Sequence, residues 1–128
     1  MKKILGIILT SVIFIGGQSQ SSKHNCKDVK IGTFENSTRE VLITRTEIKQ
    51  IEKSPDGTKH HLQWTLKFLS DCEYLMLFDF DKSEADTSFY TKGDTIKVSI
   101  GQVQSDRYYW TAIYKGQKYK GYNYLTKK

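Results

Sequence analysis

The sequence predicts an all-β chain, a single antiparallel meander of six or seven strands that forms a curved sheet or a small barrel behind an N-terminal signal peptide. Three observations carry that expectation. From His61 to Phe68 apolar and polar residues alternate with a period of two, the mark of a half-buried strand, and Tyr74 to Phe80 carries apolar residues on both faces, as a central or covered strand does. Gly, Asp and the one Pro fall between such runs, where turns are needed. After the leader, no long window shows the 3.6-residue apolar period of a helix.

Lys2 and Lys3 open the chain, Ile4 to Ile15 are apolar apart from Gly6, Thr10 and Ser11, and Gly16-Gly17-Gln18-Ser19 is small and polar. Those regions in that order read as a secretory signal peptide, cut after Ser19, which leaves residues 20–128 as one β domain. The run is shorter than the ~20 apolar residues of a membrane span. The mature protein is therefore expected to have no such span, and the expected location is the periplasm or the medium outside the cell.

Lys30-Ile31-Gly32-Thr33-Phe34 reads as a first strand, with Gly32 at a bend or a close approach. Glu40 to Ile51 is rich in Val, Ile and Thr and is expected to form one strand, with a bulge near Arg45-Thr46 where the apolar parity changes. Ser54-Pro55-Asp56-Gly57 is a turn that makes Glu40–Lys53 and Thr58–Leu69 a hairpin. Leu62, Trp64, Leu66 and Phe68 share one face of the next strand, and Tyr74, Met76, Phe78 and Phe80 share one face of its neighbour. Both sets are candidates for the core, and Trp64, Leu66, Phe68, Met76 and Phe78 are the candidates for the lining of a ligand-binding interior. Asp81 to Ser88 is a polar loop, after which Phe89-Tyr90 could close over the core. Thr95–Val103, Arg107–Tyr114 and Gln117–Leu125 follow as strands, the last two joined by a Lys115-Gly116 turn.

The chain has 20 basic and 14 acidic residues, a formal charge of +6. Without Lys2 and Lys3 the balance is +4, mildly basic and interspersed, which does not imply nucleic acid. Cys26 and Cys72 are the two cysteines, and in an oxidising compartment such a pair is most simply a disulfide; separate thiols are the alternative. His60 and His61 are adjacent on a strand and point to opposite faces, so they cannot share a metal. Asp79-x-Asp81-x-Ser83 begins like a calcium loop, but Glu84 and Tyr90 stand where that motif needs Gly and Glu. No G-x-S-x-G motif and no zinc spacing occur. The reading is therefore a protein without catalysis, metal or cofactor. In the last third, Tyr108, Trp110 and Tyr114 have a common parity and, with Lys118 and Lys120, make a candidate aromatic and cationic surface; the alternative is that these rings are core and cross-strand packing.

Cys26 soon after the leader, Gly32-Thr33-Phe34, Arg45, Gln50-Ile51-Glu52, Trp64 and the corner Asp71-Cys72-Glu73-Tyr74 resemble a family of small exported proteins of Bacteroidetes-type bacteria. That resemblance spans roughly Cys26 to Leu77 and implies export without naming an activity. Some members carry a DNA topoisomerase label, which a chain this small with a leader does not support. Gly32-Thr33-Phe34 is also similar to the G-x-W opening of lipocalin-like barrels, with Phe in place of Trp. The functional expectation is an exported module that binds an apolar small molecule, a glycan or an envelope protein. The alternative is a surface interaction module using the Tyr/Lys face.

Overall fold

A computed structural model describes residues 25–83 and 89–126. The leader and the cleavage point after Ser19 lie outside the described residues. A short 3-10 helix, Cys26–Val29, precedes β1 (Gly32–Asn36), β2 (Leu42–Arg45), β3 (Lys49–Lys53), β4 (His61–Phe68), β5 (Glu73–Asp81), β6 (Thr95–Val103), β7 (Arg107–Tyr114) and β8 (Gln117–Leu125). Each strand pairs antiparallel with the next, and β8 returns to β1 through Phe34–Leu125, Glu35–Tyr124 and Asn36–Asn123, closing an eight-stranded barrel. Closure leaves no sheet edge open.

The strand count corrects the expectation of six or seven. Glu40–Ile51 is not one bulged strand but the hairpin of β2 and β3. The Thr46 hydroxyl accepts hydrogen bonds from the Ile48 and Lys49 amides, and the Thr46 amide donates to the Lys49 carbonyl at 2.8 Å. A side chain that satisfies the backbone locally turns the chain within three residues, and that turn causes the parity change.

Alternation on each strand sends one row inward. Phe34, Ile43, Leu62, Trp64, Leu66, Tyr74, Met76, Phe78, Ile96, Val98, Ile100, Tyr108, Ala112 and Tyr114 form a continuous buried core. The outward row spreads Lys49, Lys53, Lys67, Lys97, Lys118 and Lys120 over a wall that also carries exposed Leu42, Tyr109 and Ile113, so it is a mixed surface and not a continuous apolar band. Phe80 departs from the expected inner row. Between β4 and β5 the register shifts, so that Trp64 faces Phe78 while Gln63 faces Phe80, and Asp79 is the extra residue. The bulge carries Phe80 over to the side of Gln63, where Lys82 stacks on its ring. At Gly32, with φ of 149°, an added Cβ would sit 3.3 Å from the Phe34 ring, so the close approach inferred from the sequence is present. Lys115 and Gly116 both have positive φ, 49° and 78°, as a two-residue hairpin turn requires.

One end of the barrel is sealed. The 3-10 helix lies across it, with Val29 wholly buried. The Cys26–Cys72 disulfide ties this cap to the β4–β5 corner, with a Cα–Cα distance of 5.1 Å. The Ile100 amide donates to the Cys72 carbonyl at 2.7 Å, and Lys30 pairs with Asp71 at 3.3 Å. The other end carries the β1–β2, β3–β4 and β7–β8 turns and the long β5–β6 connection.

Candidate ligand cavity

Arg45 reaches the sealed end from the last position of β2, and only 2% of it is exposed. Its Nη1 donates to the Val29 carbonyl at 2.8 Å, its Nη2 to the Tyr108 hydroxyl at 2.6 Å and its Nε to Gln50 Oε1 at 2.9 Å. The guanidinium also lies against the rings of Phe34, Tyr74 and Tyr108, at 4.8, 5.0 and 5.7 Å. Burial alone would lower the Arg45 pKa, but Tyr74 and Tyr108 outweigh it and the net shift is upward, so the side chain stays a cation. Burial raises the Tyr74 pKa above its usual range, so that phenol stays neutral.

A polar ribbon runs from Arg45 towards the mouth along β3. Gln50 Nε2 donates to Glu52 Oε2 at 2.8 Å, and Glu52 Oε1 stands 3.7 Å from His60 Nε2. The last distance is too long for a hydrogen bond and acts as a Coulombic contact. The Glu52 carboxylate nonetheless raises the His60 pKa, while partial burial opposes it. His61, on the opposite face as expected, shifts downward through desolvation and the nearby Lys53 and Lys82.

Between this ribbon and the apolar wall lies a cavity of about 450 Å³. Met76, Ile96, Val98 and Ala112 supply the apolar side, and Arg45, Gln50, Glu52 and His60 the polar one. Trp64, Tyr90, Trp110, Tyr114 and Tyr119 supply the rings. Tyr90 is held at the mouth against Trp64, Tyr114 and Phe78, with centroids at 4.8, 5.4 and 5.5 Å. Its segment is latched to the barrel. The Phe78 amide donates to the Asp94 carbonyl at 2.8 Å, the Gly93 amide to the Phe78 carbonyl at 3.0 Å, and the Tyr114 hydroxyl to Asp94 Oδ2 at 2.6 Å. Of the Phe89-Tyr90 pair expected to close over the core, Tyr90 does so, while Phe89 remains 74% exposed.

Of the five residues proposed for a ligand-binding interior, Trp64 and Met76 line the cavity. Leu66 and Phe78 are buried in the packed core, and Phe68 is half-buried, stacked on Tyr74 and under Lys30. The proposed aromatic surface does not form as expected. Tyr108 is fully buried, Tyr114 is 6% exposed and Trp110 is partly buried, because their parity is the inner one. Lys118 and Lys120 lie outside, away from those rings. Trp110 lies over Gly121, where an added Cβ would meet its ring at 2.4 Å. Rings that do reach the outer wall are Tyr109, Tyr122 and Tyr124, and Arg107 and Arg39 already stack on the last two.

The sequence reading missed Arg45, Gln50, Glu52 and His60 as a group. Its usable signal was the inward pair Gln50 and Glu52 on a strand with almost no apolar residue. Both cysteines are in the disulfide, so neither is a thiol nucleophile. No group of three or more metal-ligating side chains comes together among the described residues. No protein-family model, curated protein or solved structure matches the chain.

Proposed function

We propose that this is an exported, non-enzymatic binding protein whose barrel takes up one small, mainly apolar molecule through the Tyr90 end. The observation that carries the reading is the cavity itself: about 450 Å³ inside a closed barrel, sealed at one end and walled by Met76, Ile96, Val98 and aromatic rings. Sites for small molecules are concave, mainly apolar and about 300–1,000 Å³ in volume. The rings and aliphatic side chains favour an apolar body over a glycan. The Gly32-Thr33-Phe34 opening, the meander closed between β1 and β8, and the capped end support a lipocalin-like calyx. The disulfide and the leader-like first 19 residues support export to an oxidising compartment. Arg45, Gln50 and Glu52 are bonded to one another, an arrangement suited to holding a shape more than to moving protons.

Native mass spectrometry of the protein purified from its own host, together with uptake of an apolar naphthalene probe, tests this reading. A co-purified mass released by organic solvent, or saturable probe binding quenched by an added alkane, is the expected result. A bare mass together with no probe uptake overturns it.

A further inference from the structure

The Trp64 indole is 1% exposed and stands on the cavity wall, yet its Nε1–H has no hydrogen-bond acceptor among the described residues. Phe78 and Tyr90 pack against the ring in edge-to-face fashion, at 5.1 and 4.8 Å, and neither accepts its N–H. Buried indole N–H groups usually find a partner, and one stripped of water without a replacement is costly. The charged groups of the cavity, by contrast, are already matched. Arg45 is linked to Glu52 through Gln50, and Glu52 faces His60.

Resting on the cavity reading above, we infer that the ligand is uncharged and carries an accepting oxygen, a ketone, ester or alcohol group, on an otherwise apolar body, and that the Trp64 N–H donates to this oxygen. A purely apolar ligand would leave the N–H, already removed from water, unpaired. A carboxylate would share the small cavity with Glu52, and an ammonium would share it with Arg45 and, at low pH, with protonated His60. Like charges in a poorly polarisable interior repel strongly. A neutral oxygen meets the demand of the indole without disturbing the ribbon, where His60 Nε2 also lacks a hydrogen-bond partner but has the Glu52 carboxylate at 3.7 Å.

The test uses the disulfide-bonded protein at neutral pH and four eight-carbon probes: 2-octanone, octane, octanoate and octylamine. 2-Octanone is expected to bind about tenfold more tightly than octane, the scale of one buried hydrogen bond, and more tightly than either charged chain. The chain has two tryptophans, so the Trp64 indole signal in a proton–nitrogen spectrum is assigned by its survival in Trp110→Phe. That signal is expected to move downfield with 2-octanone and not with octane. Trp64→Phe is expected to abolish the preference for the ketone while retaining octane. Equal affinities for ketone and octane, an indole signal that does not respond, or tighter binding of a charged chain overturns the inference and leaves the cavity reading intact. Binding of none of the four overturns both. The indole signal is read on protein with Trp64 in place, so it decides the matter even if Trp64→Phe fails to fold.

Discussion

The two ends of the barrel solve the burial of polar groups in opposite ways. At the sealed end Arg45 donates to three acceptors on three different elements, and the cap that supplies one of them is covalently tied to the β4–β5 corner. At the mouth the only buried side-chain polar atoms without a hydrogen-bond partner among the described residues are found, Trp64 Nε1 and His60 Nε2. A buried polar group left unpaired is tolerated where something else completes it, whereas a saturated network serves rigidity. On the proposed reading, the contrast gives structure to one end and recognition to the other.

Three substitutions or conditions sharpen that contrast, and the largest effect belongs to the sealed end. Replacing both Cys26 and Cys72 by Ser releases a loop spanning a sequence separation of 46, and the loop-entropy model gives a loss of about 4 kcal/mol. Denaturant unfolding of the oxidised parent and the double variant measures it; a loss below about 1 kcal/mol would mean that the cap is held without the bond. Arg45→Met keeps much of the side-chain volume but takes from Val29 and Gln50 the donor that Arg45 supplies, and from Tyr108 one of two, since Asn123 Nδ2 still donates to it, at a cost of about 3 kcal/mol. Phe89→Ala, at the exposed rim, serves as the comparison and should change stability by less than about 0.5 kcal/mol. If the rim variant is hurt as much as Arg45→Met, the division between the two ends is wrong.

The smallest effect is electrostatic and sits at the mouth. Glu52 raises the pKa of His60 in the folded protein, so the pair stabilises the barrel fully below the pKa of a free histidine. The contribution fades as pH rises through the higher folded value. His61 shifts the other way. Histidine NMR titrations should therefore give His60 the higher midpoint, and Glu52→Gln should draw it down towards that of His61. A His60 midpoint at or below that of His61 would break the ribbon at its outer link.

Much of the strand pattern was readable because alternation is a local property. Leu62, Trp64 and Leu66, or Ile96, Val98 and Ile100, had to share a face whatever the rest of the chain did, and all six are buried. The errors occurred where a single residue resets the alternation. Thr46 converts one strand into two through its own hydroxyl, and the bulge at Asp79 moves Phe80 off the inner row. The C-terminal aromatics were grouped correctly by parity, but core and surface both stayed open for them, since periodicity separates two faces without saying which one meets water. Arg45, Gln50, Glu52 and His60 were illegible as a site for another reason: polar side chains on short strands look like solvent-facing ones until the barrel closes around them.

The sequence by itself determined the all-β class, most of the strand rows and the turns, because φ preferences and a period of two act over a few residues. Only the tertiary structure decided that β8 meets β1, that the sulfurs of Cys26 and Cys72 are joined, and that Arg45, Glu52 and Trp64 line one cavity. Those outcomes depend on closing a ring of eight strands, and closure is a relation between segments far apart in the chain that no local pattern records.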